Sequence, residues 1–296
     1  MSAWTYEVKP EDKGRAIKDI LRREFTFSAR MMVKFKKNNC ILLNRKPVFV
    51  NIIPVTGDII SIVLPNEKSE FPPEDVPIIP VFEDDNILII NKPAGYVVHP
   101  TKGHPTRTIA NGLTRYMEKS GTFFKIRFVN RLDMDTSGLL LIAKNAFCQD
   151  AIVKQAKENK VVKKYLAVTR GVLEEDELTI DAPINRLDPD KPAREVTPLG
   201  YPSITLCSTL ERYPTGFSLV ELSLKTGRTH QIRVHLSYIG HPIVGDHLYG
   251  GENVLLTERQ ALHAHFISFF HPITKTPIAV SVDMPDDMKQ LINKIR

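Results

Sequence analysis

The 296-residue chain has only three cysteines, Cys40, Cys148 and Cys207. Their odd number and wide spacing argue against a disulfide framework and against a thiolate metal site. No apolar run approaches the ~18 residues that a membrane-spanning helix needs, so no membrane association is expected. The opening stretch Met1–Lys13 is polar and charged where a secretory signal would be apolar. There is no GxGxxG, no Walker-type loop, no HExxH, no internal repeat and no low-complexity tract. Nucleotide-cofactor and zincin-type chemistry therefore have no signature here. These absences point to a reducing, cytoplasmic setting. What is present is ordinary for a soluble globular protein, with 42% hydrophobic and 25% charged residues, and the length allows two domains.

The charge is unevenly placed. Residues 1–64 hold 12 Lys+Arg against 6 Asp+Glu, so they carry the whole net charge of +6; the remainder holds 28 of each. A basic module ahead of a neutral body reads as a polyanion-docking appendage. Within it, Ile17, Ile20, Leu21 and Phe25 have helical spacing, with Lys18, Arg22 and Arg23 on the outer side. Ser28 is placed to cap a second helix carrying Met32, Val33 and Phe35 among Arg30, Lys34, Lys36 and Lys37. ILLNRKPVFV and GDIISIVLP then read as short strands, giving an αα-ββ unit over residues 1–70. Asn66–Pro80, with four prolines, reads as an extended linker, assigned chiefly to 71–80.

The body, 81–296, is organised around FVNRLDMDTSGLLLIAKN (Phe128–Asn145). Arg131, Asp133 and a small polar turn (Thr136, Ser137, Gly138) directly precede the apolar run Leu139–Ile142, which reads as a buried strand. Asp133 then sits on a loop feeding the sheet. A carboxylate beside a permanently charged arginine stays ionised near neutral pH, as a nucleophile or general base requires. Upstream, NILIINKPAGYVVHP reads as a strand, a Lys-Pro-x-Gly turn and a second short strand, and Thr108 as a helix cap. Downstream lie a helix near Ala146–Lys157, strands at Val161–Gly171 and Phe217–Gly227, and a proline-punctuated loop at Arg186–Thr197. A helix over His230–Ile239 and closing strands at Leu262–Pro272 and IAVSVDMP complete the body. Strands outnumber helices and are joined by turns, so an α+β fold with a mixed, largely antiparallel sheet and flanking helices is expected.

Three chemical readings compete. Asp133-Met134-Asp135-Thr136 fits the DxDxT pattern of magnesium-dependent haloacid-dehalogenase-type phosphatases, but Asn130 and Arg131 replace the hydrophobic strand that normally precedes it. His230, His235, His263 and His265 invite a metal reading without any metal-ligand spacing to support it. The third reading rests on a set of motifs taken together. Asn130-Arg131-Leu132-Asp133-x-x-Thr136-Ser137-Gly138, Lys164-Tyr165-x-Ala167 and Gly227-Arg228-Thr229-His230-Gln231-Ile232-Arg233 occur in order. With Asn91-Lys92-Pro93-Ala94-Gly95 and Gly240-His241-Pro242-Ile243-Val244-Gly245-Asp246, they resemble the RluA family of pseudouridine synthases over nearly all of residues 80–285. The basic module resembles the small RNA-binding domain of the fourth small-subunit ribosomal protein.

The resemblance implies isomerisation of uridine to pseudouridine in RNA, with no metal and no cofactor, since no atom enters or leaves. It implies Asp133 as the essential carboxylate, attacking the anomeric carbon or taking a proton from ribose carbon two. Arg233 would hold that carboxylate, Tyr165 would stack on the base and assist proton removal, and Arg131 would fill the gap left by the flipped uridine. Arg228, His230 and Gln231 are candidate substrate contacts, and Arg22, Arg30, Lys34 and Lys37 candidate phosphate contacts. Asn130 stands where many members have His. Large-subunit ribosomal RNA is the expected partner, transfer RNA the second choice, and the protein is expected to be a monomer. A non-catalytic RNA-binding protein on the same fold is the alternative from another class.

Overall fold

A run such as Leu139–Ile142, apolar at every position, is stable as a strand only where both of its faces are covered. The rest of the architecture answers that requirement. The computed structural model describes residues 3–25, 27, 29–63, 67, 69–186, 188, 190, 192–250 and 256–296, with Ala3, Ala29 and Arg30 described by their main chain only.

The amino-terminal module has strands β1 (Ala3–Glu7), β2 (Ile41–Leu43), β3 (Lys46–Pro47) and β4 (Ile59–Val63), in the order β1–β4–β2–β3. Helices α1 (Ile17–Phe25) and α2 (Ala29–Lys37) share a core with them. β1 extends the expected αα-ββ unit. Its two-residue alternation places Trp4 inward, and it runs antiparallel to β4 from Ala3↔Val63 to Glu7↔Ile59. On α2 the inward residues are Met31, Met32 and Phe35, while Val33 is exposed. Ser28, read as the cap of α2, lies outside the described residues.

The body comprises β5 (Pro80–Glu83), β6 (Ile87–Lys92), α3 (Ile109–Ser120), β7 (Arg127–Phe128), β8 (Ser137–Ala143), α4 (Ala146–Lys157), β9 (Val162–Arg170) and β10 (Glu177–Asp181). There follow β11 (Ile184–Asn185), β12 (Glu195–Val196), β13 (Ile204–Tyr213), β14 (Phe217–Leu224), α5 (Gln231–Tyr238), β15 (Leu262–Phe270), β16 (Pro277–Ser281) and α6 (Asp286–Ile295). One ten-stranded sheet runs β10–β13–β14–β9–β15–β8–β6–β5, with β16 paired to β15 and β7 to β8. Among the described residues only β8–β15 is parallel. The fold is α+β with a mixed, largely antiparallel sheet.

Differences from the sequence reading have local causes. No strand follows the Lys-Pro-x-Gly turn, because the Val97 and Val98 carbonyls accept from Ile109 and Ala110 N–H and close the first turn of α3 instead. β12 forms inside the loop expected at Arg186–Thr197, pairing with β11. α6 was not anticipated, although Met288, Leu291, Ile292 and Ile295 are buried at i, i+3, i+4 and i+7. Residues 71–80 are extended, as their prolines require, but they pack closely. Val76 is buried against α3, where the missing side chain of Gly112 makes room for it, and Asn111 Nδ2 donates to Pro72 O at 2.9 Å.

Alternate residues of β6 and β8 feed two cores. Leu88, Ile90, Leu140 and Ile142 join one, with Tyr165 and Ile232. Ile87, Ile89, Leu139 and Leu141 join the other, shared with Trp4, Phe27 and Phe35 of the module. Phe147 of α4 bridges the two parts, with its ring 4.9 Å from those of Trp4 and Phe27. The module is therefore packed on the sheet through its apolar side.

At the entry to β8, Gly138 has φ +112° and lies so close to β15 that a Cβ would meet the Ala264 oxygen at 2.2 Å and its nitrogen at 2.6 Å. Backbone strain and overpacking act together, so Gly138→Ala is expected to destabilise the fold by about 3–5 kcal/mol. Chemical denaturation of purified protein, or loss of soluble protein on expression, measures this; a variant as stable as wild type would contradict the close strand approach.

Candidate active site

Asp133 lies on the irregular segment between β7 and β8, partly exposed, at the rim of a cavity of about 690 Å³. Two neighbours fix this segment from below. Lys92, at the end of β6, is fully buried; its Nζ donates to Met134 O and Pro93 O, each at 2.8 Å. Gly95 N–H donates to the same Met134 oxygen at 3.0 Å. Burial pushes the Lys92 ammonium down to about 7, against the raising effect of Asp135 and Asp133. A neutral amine has two N–H bonds, which matches the two carbonyls. Asn130 continues the β8 ladder, accepting from Leu141 N–H at 2.8 Å and donating to Leu139 O at 3.2 Å.

α5 supplies the opposite wall. Arg233 is buried and holds three separate hydrogen bonds to carboxylates. Its Nε and Nη2 donate to the two oxygens of Asp246 at 2.7 and 2.8 Å, and Nη1 donates to Asp133 Oδ2 at 3.1 Å. Asp246 is itself fully buried, and the Tyr249 ring lies 5.0 Å from the Arg233 guanidinium carbon. Asp133 Oδ1 faces His230, whose Nε2 is 3.9 Å away. His230 starts α5 with φ +57°, a left-handed conformation, and its Nδ1 is 2.8 Å from the Tyr249 hydroxyl. Burial, assisted by Arg233 and Arg194, holds the His230 imidazole below its ordinary value, against the opposing pull of Asp133.

Tyr165, on β9, is buried and lines the same cavity. Burial first, then the nearby Asp133 charge, raise its phenol above the usual range. It therefore stays protonated near neutral pH, which suits a stacking surface. Arg131 lines the cavity, exposed and without a hydrogen-bond or ion-pair partner among the described residues. Arg228 is exposed at the mouth, with its guanidinium carbon 5.4 Å from the Tyr201 ring. Gln231 lines the cavity with a side chain that is fixed from within. Its amide is consumed internally: Oε1 accepts from Thr226 Oγ1 and Arg228 N–H, and Nε2 donates to Ile204 O and Thr205 Oγ1, at 2.8–3.0 Å. It shapes the loop before α5 and has no donor left for a substrate. Arg22, Lys34 and Lys37 lie on the module, away from the cavity lining. Arg22 and Lys37 are exposed without partners among the described residues, Lys34 pairs with Glu67 at 2.8 Å, and the Arg30 side chain is outside the described residues.

Residues 86–238 match the family described as RNA pseudouridylate synthase. The chain belongs to this family. It is 38% identical over 291 residues to the uncharacterized RNA pseudouridine synthase YlyB of Bacillus subtilis, covering 97% of this chain and 96% of that one. It is 37% identical over 243 residues to ribosomal large subunit pseudouridine synthase D of Escherichia coli, covering 78% of this chain and 74% of that one. Among solved structures it resembles human RNA Pseudouridylate Synthase Domain Containing 1, with TM-score 0.59 and 28% identity over 76% of this chain and 97% of that one. The RluA-type resemblance read from the motifs holds, and a pseudouridine synthase is an isomerase.

In this synthase, Asp246 and Tyr249 are the site residues that sequence reasoning passed over. Asp246 closes the Gly240–Asp246 motif that contributed to the resemblance, so a signal existed, but nothing local told that its partner was Arg233. Lys163 and Arg194 also line the cavity. Among the described residues, no group of three or more His, Cys, Asp or Glu side chains is arranged to hold a metal ion.

Lys92 gives a pH-dependent prediction. Its folded value, about 7, lies below that of an unfolded lysine, about 10.4. Between these values the unfolded chain binds more protons, so the Lys92 contribution to stability rises with pH and is lost as pH falls toward 7. Comparing unfolding free energies of wild type and Lys92→Met, the difference is expected to move in favour of wild type by about 3 kcal/mol from pH 7 to 9.5. A difference that stays constant over that range would contradict a depressed Lys92.

Proposed function

We propose that this synthase isomerises uridine in structured RNA with Asp133 as its essential carboxylate, and that large-subunit ribosomal RNA is the substrate. The observation that carries this reading is the asymmetric setting of Asp133, which lines the cavity together with Tyr165 and Arg131: Oδ2 is bound by Arg233, while Oδ1 has no hydrogen-bond partner among the described residues and lies 3.9 Å from His230 Nε2. A carboxylate held on one oxygen by a permanent cation is oriented and remains available through the other.

Two routes use that free oxygen. Oδ1 attacks ribose carbon one, displacing uracil through its nitrogen one, and the base re-attaches through carbon five with release of the ester. Alternatively, Oδ1 takes the proton of ribose carbon two as the base leaves, giving a glycal that adds carbon five and recovers the proton. In both, the proton on carbon five of uracil is lost to solvent and nitrogen one gains one, so atoms balance without a co-reactant. Tyr165, with its phenol neutral, offers an aromatic face on which the extracted base can stack. Arg131 is free to enter the space that a flipped nucleotide leaves, since an enzyme acting on a paired base must first unstack it.

The ribosomal assignment is supported by the relatives named ribosomal large subunit pseudouridine synthase D, and by the excess positive charge of residues 1–64. Exposed Arg22 and Lys37 on α1 and α2 are the phosphate contacts we favour. Residues 1–70 serve in this reading as an RNA-docking module on a catalytic body that begins near residue 81.

Tritium at carbon five of uracil in ribosomal RNA tests the chemistry. Wild type is expected to release it in EDTA, and Asp133→Asn to release none above background. Release by the variant would remove Asp133 from the mechanism, and release by wild type from transfer RNA alone would overturn the substrate assignment. For Arg131, substitution by alanine is expected to lower kcat/KM on a helical target by about tenfold or more, with little change on an unstructured one, because extraction costs a few kcal/mol only where the base is stacked and paired. Equal losses on both substrates would assign Arg131 to general RNA binding instead.

A further inference from the structure

Tyr249 touches both groups that flank the Asp133 carboxylate. Its ring lies against the Arg233 guanidinium, and its hydroxyl lies 2.8 Å from His230 Nδ1. The hydroxyl also accepts the Arg194 N–H at 2.9 Å. Tyr249 is held in turn by Asp246, whose Oδ1 accepts the Tyr249 N–H at 3.2 Å, and by Ser237, whose Oγ donates to the Tyr249 carbonyl at 2.9 Å.

The direction of the His230 hydrogen bond follows. With the Arg194 N–H donating to the Tyr249 oxygen, the arrangement that satisfies every group has the phenolic proton donated to Nδ1. A neutral imidazole that accepts at Nδ1 carries its proton on Nε2. The other side of the ring favours the same arrangement, because Nε2 faces the Asp133 carboxylate at 3.9 Å, where a bare lone pair would be repelled. Two independent contacts thus select one tautomer. The left-handed φ of +57° at His230 places the ring between them, a conformation that costs a non-glycine residue energy and persists only where its surroundings fix it.

We propose that Tyr249 is a positioning residue of this synthase: it holds His230 as the neutral Nε2–H tautomer and seats Arg233, so that His230 faces Asp133 Oδ1 without forming an ion pair with it. Charged His230 would instead pair with Oδ1 and occupy the atom that must react. The groups facing His230 are Asp133 and Asp246, which favour its charging, and Arg233 and Arg194, which oppose it. The Tyr249 proton on Nδ1 adds to the opposing side. The inference rests on the role proposed above for Asp133.

Tyr249→Phe removes the hydroxyl and keeps the ring, so the Arg233 contact and the fold survive; a melting temperature within a few degrees of wild type checks this. Nitrogen-15 shifts of histidine-labelled full-length protein, with His230 assigned from a His230→Gln variant, read the tautomer without any reaction. Wild type is expected to show one species protonated on Nε2, and Tyr249→Phe an exchanging mixture that charges at higher pH. In the tritium assay, the phenylalanine variant is expected to lose about tenfold in kcat at neutral pH. Its acid limb should move upward, and the loss should shrink as pH rises. An unchanged tautomer together with an unchanged pH profile would overturn the proposal. If the tautomer shifts while wild type itself releases no tritium from ribosomal or transfer RNA, the His230 lock stands and the functional reading fails.

Discussion

One guanidinium shared between two carboxylates sets the terms for the rest of the site. Arg233 is buried, and burying a charge is costly unless it is paired and its hydrogen bonds are met. Asp246, without exposure and bound through both oxygens, satisfies that demand. It leaves Nη1 for Asp133. Counted together, the three groups carry one net negative charge, and the carboxylate open to the cavity is where that charge is accessible. With Asp246 absent, Asp133 would become the sole counter-ion of a buried arginine and would be drawn inward as a structural partner. Asp246 thus separates the stabilising work of an ion pair from the chemical work of a carboxylate.

That geometry needs α5 and the Asp133 segment in fixed relation, and the sheet supplies it. The segment enters β8, the strand buried on both faces, at a glycine that allows β15 to approach within van der Waals limits. β15 is next to β9, which carries Tyr165. The site-facing core contains Leu132, Tyr165 and Ile232, with Leu132 and Ile232 next in sequence to Asp133 and Arg233. The opposite core is completed by Trp4, Phe27 and Phe147. A loss of packing in the amino-terminal module is therefore felt through the same strand that the Asp133 segment enters, since closely packed interiors transmit displacement poorly as slack and well as strain.

Legibility in the sequence followed the range of the interaction. α4 was read at its true limits because Asn145 caps it through Cys148 N–H and the apolar spacing is local. The β14 alternation was read the same way, with Val220 and Leu222 buried. Asp133, Tyr165 and Arg233 stood out through unusual residue types in unusual company, and all three line one cavity. Gln231 shows the limit of that reasoning: polarity beside a site is equally the mark of a loop holding its own backbone. Asp246 and Tyr249 escaped attention because their meaning lies in which side chain they face, 13 and 16 residues away. β1 and α6 had clear periodicities but lay at the ends of the chain, where the reading gave them no partner.

The Lys92 and Gly95 contacts explain why two motifs about forty residues apart act as one. Met134 O accepts from both Lys92 Nζ and Gly95 N–H, using both lone pairs of a single carbonyl. The peptide next to Asp133 is thereby fixed in position and in orientation, and the Thr136 N–H closes the turn on Asp133 O at 3.2 Å. A lysine reaches from the buried end of a strand where a shorter donor would not, and its burial lowers the ammonium to about 7, which weakens the second cation beside the Asp133–Arg233 pair. An arginine at position 92 would keep its charge and compete with Arg233 for the carboxylate. The constraint on this position is therefore a donor that is long, buried and able to shed its proton, and among the common side chains lysine alone meets all three conditions.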